Sequence, residues 1–196
     1  DLLVEEMCPG QDYRILVVNG KFVAAALRRP PTVVGDGQSS IEQLIEVLNQ
    51  DPRRGNGHEG VLTKIEADES LLEHLAKQEK SLTTVPKKGE SVTLRGAANL
   101  SSGGTAKDVT DFAHPDVQRL CERIARLVGL DICGIDLIHR SISEPVNEFA
   151  KVIEVNAAPG LRMHLAPTEG QSRPVADHIV EMLYPENSSS RIPIIS

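Results

Sequence analysis

The sequence predicts an α+β protein: an antiparallel sheet with packed helices and an inserted helical subdomain. Three observations carry this. Apolar runs of strand length, near the start and again after residue 131, are bounded by turn residues, and the first pair is joined by Asn19-Gly20, a strong type I′ hairpin signal. The stretch from Pro115 to Val128 repeats apolar residues at helical spacing and meets Gly129, a natural helix stop. Between these regions, residues 36–90 change texture and hold two shorter helical patterns around a polar loop.

In chain order, residues 2–7 (Leu-Leu-Val-Glu-Glu-Met) are expected to form a short buried strand and Cys8-Pro9-Gly10-Gln11 a turn. Asp12 to Val18 and Lys21 to Leu27 form the hairpin, ended by Arg28-Arg29-Pro30-Pro31. Ser39 or Ser40 caps a helix over 40–50, with Ile41, Leu44, Ile45 and Leu48 on one face. A polar loop runs from Asp51 to Gly60, and a second helix over 68–79 carries Leu71, Leu72 and Leu75. Val85 to Glu90 turns into a strand, Ser91 to Leu94, and Ala98 to Asp108 reads as a Gly/Ser/Thr loop. The helix over 115–128 buries Val117, Leu120, Ile124, Leu127 and Val128. Strands over 132–138 and 152–156 make a second hairpin across a polar loop, and a last helix covers 173–184. Residues 1–35 and 91–186 thus form the sheet core, 36–90 an insertion, and 187–196 a linker toward a further domain.

Composition narrows the function classes. Hydrophobic residues are 40% of the 196 and aromatics only 3%, so the core is aliphatic and the stacking platforms of single-strand nucleic-acid binders are missing. A net charge of −7 argues against a broad phosphate-backbone footprint, so no nucleic-acid partner is expected. No apolar run is long enough for a membrane span. Three cysteines without ligand spacing suit a reduced, cytoplasmic protein.

The strongest chemical signal is Val152-Ile153-Glu154-Val155-Asn156-Ala157-Ala158-Pro159-Gly160. Strand residues two apart share a face, so Glu154 and Asn156 present hard oxygens together. Asp136 sits in the neighbouring apolar strand, where an acid is costly unless paired. A Mg²⁺ ion would pair with all three; the bland alternative is two solvated edge acids and a turn-capping Asn. The loop Asn99-Leu100-Ser101-Ser102-Gly103-Gly104-Thr105, with Arg95 before it, could bring backbone N–H groups to an anion or be only a loop. No Walker A pattern exists in the chain. Arg14 and Arg28, on the two strands of the first hairpin, could clamp a carboxylate or phosphate, or snorkel to solvent. Glu5, Glu6 and Asp12 could meet ribose hydroxyls or an amino group, though solvent exposure is the commoner fate. His164, beyond the Pro-Gly turn with Arg162, is a minor substrate-facing candidate, and the acids over 66–73 read as a solvated face.

These motifs together resemble a known family. Glu5-Glu6-Met7-Cys8-Pro9-Gly10-Gln11-Asp12-Tyr13-Arg14 resembles the hinge strand of ATP-grasp ligases, and Gly134-Ile135-Asp136-Leu137 with Ile153-Glu154-Val155-Asn156 resembles that fold's metal strands. Val33-Val34-Gly35-Asp36-Gly37, Asp51-Pro52-Arg53-Arg54-Gly55, the Ser-Gly-Gly loop, Asp108-Val109-Thr110-Asp111 and Asn156 through His164 are similar to the cyanophycin synthetase family. The resemblance implies the C-terminal part of an ATP-grasp fold that uses ATP and Mg²⁺. Glu5, Glu6 and the backbone near Cys8 would contact adenine, and Asp12 the ribose. Asn99, Gly103 and Gly104 would join the nucleotide site. Asp136, Glu154 and Asn156 would hold Mg²⁺. Arg14, Arg28 and Arg95 would neutralise phosphate or acyl phosphate, and Gly160 would face the acceptor. The family's reaction phosphorylates the C-terminal carboxylate of a poly-aspartate (cyanophycin) primer and joins it to aspartate, in a full-length protein expected to be a homo-oligomer. Arg53 or Arg54 of the insertion would help hold the polymer. The lysines and Gly-rich loop that grip ATP in such ligases do not occur here, which implies a fragment inactive alone. A glutathione-synthetase-type ATP-grasp module and a non-catalytic nucleotide- or polymer-binding module are the alternatives.

Overall fold

A computed structural model describes residues 8–56 and 60–186. The expected strand at 2–7 and the linker at 187–196 lie outside the described residues. Element order is β1 (Gln11–Val18), β2 (Lys21–Arg29), β3 (Thr32–Val34), α1 (Ile41–Asn49), β4 (Arg54–Gly55), β5 (Leu62–Thr63), α2 (Glu69–Ala76), β6 (Ser91–Thr93), β7 (Thr105–Asp108), α3 (Pro115–Val128), β8 (Ile132–His139), β9 (Lys151–Asn156), α4 (Arg162–Leu165) and α5 (Val175–Leu183).

The main sheet has five strands in the order β7-β2-β1-β8-β9. Asn19 and Gly20 both take positive φ, 51° and 69°, as the type I′ turn between β1 and β2 requires. Strands β1 and β8 pair antiparallel from Gln11 opposite His139 to Val18 opposite Ile132. Alternation then sorts their side chains. Tyr13, Ile15 and Val17, with Cys133, Ile135 and Leu137, face α3 and join its Val117, Cys121 and Ala125 in the largest buried cluster. On the other face Leu16, Val18 and Ala24 pack with Val175, Ile179 and Met182 of α5.

Helix α3 occupies the expected span. Pro115 takes the first turn, the His114 ring accepts from the Asp116 N–H at the N-terminus, and Gly129 (φ 75°) closes the C-terminus. Its buried stripe is Val117, Cys121 and Ala125, and Leu127 and Val128 are exposed where burial was expected. The i, i+4, i+8 spacing of the three smaller residues sets the contact face and leaves the bulkier pair beyond its end.

The described residues group into two compact units: one within Asp1–Leu27 and Asp108–Ser196, the other within Arg28–Lys107. The second unit is larger than the insertion expected from sequence. Strand β6 pairs antiparallel with β3, Thr32 opposite Thr93, and does not return to the main sheet. Val33 and Val92 of that ladder share a core with Ile41, Ile45, Ile65, Leu71, Leu75 and Leu94. Helix α1 is started by a reciprocal Ser40–Gln43 capping box, and α2 by the Asp68 side chain accepting from the Leu71 N–H. The stretch read as one loop over 98–108 ends in β7, an edge strand of the main sheet.

Candidate functional site

Three cross-strand rows define the site. Across β1, β8 and β9 the directly opposed residues are Asp12–Ile138–Lys151, then Arg14–Asp136–Glu154, then Leu16–Gly134–Asn156. Opposed residues share a face, so these rows lie on the sheet face away from α3. A bulge sets the register. Leu137 pairs with Val152 while Asp136 pairs with Glu154, leaving Ile153 as the extra residue. Without it, Glu154 would share the face of Val152, which pairs with the core residue Leu137.

The middle row holds a buried ion pair. Arg14 donates from Nε to Asp136 Oδ1 and from Nη2 to Oδ2, the second at 3.2 Å. Both side chains are buried, Arg14 8% and Asp136 7% exposed. This answers the question posed by an acid in an apolar strand: its charge is matched by a guanidinium held side-on. Asn156 Nδ2 donates to Glu154 Oε1 at 2.7 Å and reaches Gly134 O at 3.5 Å. Gly134 makes the arrangement possible. A Cβ there would lie 2.7 Å from Pro159 Cβ and 3.0 Å from Arg14 Cδ, so any side chain would displace the arginine.

The segment after Asn156 closes the row's end. Pro159 rests over Gly134, and a Cβ on Gly160 would meet nothing within 4 Å. Among the described residues, no contact therefore requires Gly160 to lack a side chain. Helix α4 then buries His164, which is 2% exposed with no partner for Nε2 among the described residues. Burial, then the positive charge of Arg14, pulls its pKa down to about 4, so the ring is neutral at physiological pH. The Arg173 N–H donates to His164 O at 2.9 Å. The Arg173 guanidinium donates to Asp108 (Nη2–Oδ2 2.6 Å) and Asp111 (Nη2–Oδ2 2.7 Å), which raises its own pKa. Burial pushes the Asp108 carboxyl up, but Arg173 and Thr110 outweigh it and leave its pKa below the ordinary value.

The remaining sequence candidates fall in different places. Glu5 and Glu6 lie outside the described residues. Cys8 lines a cavity of about 320 Å³ with Pro9, Glu148, Phe149 and Lys151, and the Phe149 ring carries the Arg140 guanidinium at 3.4 Å. Lys151 opens β9, so this cavity and the oxygen row share a strand. Asp12 is half-buried and one pleat from Arg14. Arg28, Arg95, Asn99, Gly103 and Gly104 belong to the second unit. Arg28 is buried at the end of β2.

Arg95 donates from Nη2 to Glu66 O at 3.0 Å and to Asp68 Oδ2 at 2.8 Å, so it braces the start of α2. The Gly-rich loop uses its N–H groups internally: Ser102 and Gly104 donate to Asn99 O, and Gly103 to Leu100 O. Packing accounts for both glycines, because Cβ atoms would come 2.5 Å from Ile65 Cγ1 and 2.7 Å from Asn99 O. The expectation that these amides point at an anion is corrected accordingly. Arg53 is paired with Asp51 at 2.7 Å, and Arg54 donates to Thr63 O at 2.6 Å.

Among the described residues no three His, Cys, Asp or Glu side chains converge as a metal site. The donor set is instead two carboxylates and a carboxamide on adjacent strands, hard oxygens of the kind Mg²⁺ takes. The residues fit such an ion once Asp136 is shared with, or released by, Arg14. The sequence motifs include Gly134 and Asp108 without giving either a role, and they do not include Lys151, Phe149 or Arg173. Nothing local in the sequence links Asp108 to Arg173; only the fold joins them.

Comparison with known proteins identifies the family. The RimK-like ATP-grasp domain family matches residues 78–179. A cyanophycin synthetase of Crocosphaera subtropica is 50% identical over all of this chain, which covers 22% of that protein. A glutathione biosynthesis bifunctional protein of Clostridium perfringens is 35% identical over 93% of the chain and 24% of its own length. The crystal structure of a bifunctional glutathione synthetase from Pasteurella multocida superposes with a TM-score of 0.74 at 34% identity, over 92% of this chain and 25% of that one. The chain thus spans about a fifth to a quarter of the length of the relatives it matches.

Proposed function

The chain belongs to the RimK-like ATP-grasp family, and from that premise we propose that it forms the nucleotide- and metal-binding part of an ATP-dependent carboxylate–amine ligase of the cyanophycin synthetase type. The observation that carries the reading is the Arg14–Asp136–Glu154 row with Asn156 beside it. A carboxylate is a poor acyl donor until phosphorylated, and phosphoryl transfer needs positioning and charge neutralisation more than a protein nucleophile.

In this reading the cavity beside Cys8 takes adenine, with Glu5 and Glu6 of the preceding segment, and Asp12 meets the ribose. Asp136, Glu154 and Asn156 would hold Mg²⁺, which neutralises phosphate charge when bound. Arg14 offers guanidinium donors to phosphate oxygens or to the acyl phosphate. The open space above Gly160 receives the acceptor. The substrates would be the C-terminal carboxylate of a poly-aspartate primer and the amine of a free aspartate, with ADP and phosphate as products. Identity of 50% over the whole chain, against 35% over 93% of it, favours this substrate pair over a glutathione-type one.

The test is calorimetry with ATP and Mg²⁺. Asp136→Asn and Glu154→Gln should each weaken metal-dependent nucleotide binding by about tenfold or more, the effect of removing one ligand charge. Unchanged binding in both variants would overturn the assignment. Aspartate plus primer against γ-glutamylcysteine plus glycine, supplied to the full-length ligase, separates the two substrate pairs.

A further inference from the structure

We infer that Arg14 is the built-in counter-ion of the oxygen row and that it gives up Asp136 when a divalent cation and a nucleotide bind together. The inference rests on the functional reading above and adds a coupling between the two ligands. Arg14 and Asp136 are both buried, and both Asp136 oxygens accept from the one guanidinium. A buried carboxylate without a partner is strongly destabilising, so some cation must stand beside Asp136 at all times. Gly134 leaves the lane in which Arg14 lies, with Cδ 3.0 Å and Nη1 3.2 Å from where its Cβ would be. The arginine is thus laid along the floor of the same row that supplies the metal donors.

Counting formal charges, Arg14 (+1), Asp136 (−1) and Glu154 (−1) sum to −1. A divalent ion added with Arg14 in place would face an adjacent guanidinium. At ~5 Å and an effective dielectric of ~20, that repulsion is large enough to weaken binding by a factor well above ten. A polyphosphate changes the balance by giving Arg14 other oxygens to donate to. Metal and nucleotide then each favour the other, and linkage makes the effect reciprocal.

The experiment measures Mn²⁺ binding by electron paramagnetic resonance, with and without a non-hydrolysable ATP analogue. Wild type should bind Mn²⁺ weakly alone and at least tenfold more tightly with the analogue. Arg14→Gln should bind Mn²⁺ alone about tenfold more tightly than wild type, and the analogue should add little. Arg14→Lys, which keeps the charge without the bidentate fork, should fall between. If Arg14→Gln binds Mn²⁺ alone no better than wild type while Asp136→Asn abolishes binding, the exchange is wrong and the oxygen row stands. If Asp136→Asn binds Mn²⁺ like wild type, the functional reading itself fails. Should Arg14→Gln not fold, the Arg14 Nε–H resonance of wild type decides. It should move when Mg²⁺ and the analogue are added together, and an unmoved signal overturns the exchange.

Discussion

The two faces of β1 and β8 are built from the same strands and serve opposite ends. Toward α3 stand Tyr13, Ile15, Val17, Cys133, Ile135 and Leu137, packed without charge. Toward the site stand Arg14, Gly134 and Asp136, one ion pair laid over one glycine. On the first face each side chain gains by leaving water. On the second, burial is opposed by desolvation of two charges, and the pair roughly breaks even. The contrast teaches that the Arg14–Asp136 stretch of this face is there for chemistry, with stability supplied by the α3 face and by Leu16 and Val18 against α5.

The sharpest way to break the contrast is to cut each face once. Asp136→Ala leaves Arg14 buried and unpaired and should cost about 3–5 kcal/mol in denaturant unfolding. Ile135→Ala should cost about 2–5 kcal/mol through a cavity. The double change Arg14→Met with Asp136→Leu should recover most of the loss at the site face yet abolish metal-dependent nucleotide binding. A double variant as unstable as Asp136→Ala would show that the pair is structural.

A second prediction concerns His164. Its folded pKa is depressed to about 4, whereas an unfolded histidine titrates near ~6.5. Between these values the unfolded state binds the extra proton, so stability falls as pH drops from ~6.5 toward ~4, by about 3 kcal/mol at the lower end. Asp108, with its lowered pKa, adds a loss only further down, below its ordinary range. Unfolding measured from pH 7 to pH 4.5 should show the slope in wild type and its loss in His164→Gln.

The smallest expected effect sharpens the site face. Gly134→Ala should cost about 1–3 kcal/mol by overpacking against Pro159 and Arg14. It should also weaken nucleotide binding, whereas a core-face change of equal cost should not.

Much of this was legible locally. The Asn19-Gly20 turn, the Pro115 and Gly129 ends of α3, and the shared face of Glu154 and Asn156 follow from backbone rules that act over a few residues. What escaped depends on distant partners. β3 is short and meets its partner β6 more than fifty residues later, and β7 hides in a polar loop until β2 pairs with it. Arg95 looked available because nothing nearby in sequence announces Asp68. The paired glycines at 103 and 104 suggested an anion cradle, but Ile65 and Asn99 explain them. Nor did the apolar run Val152-Ile153 reveal which of its residues was surplus to the ladder.

That surplus residue gives β9 a property loops lack. Ile153 works as a reading-frame marker for the strand: everything before it and everything after it are in opposite phase. Losing this single residue would keep Val152 opposite Leu137 and Glu154 opposite Asp136 in an unbroken ladder, whereas losing Val155, beyond the bulge, would turn Asn156 toward the apolar interior. A one-codon deletion at Ile153 would therefore be absorbed by the strand, while the same deletion at Val155 would act as an inversion of inside and outside.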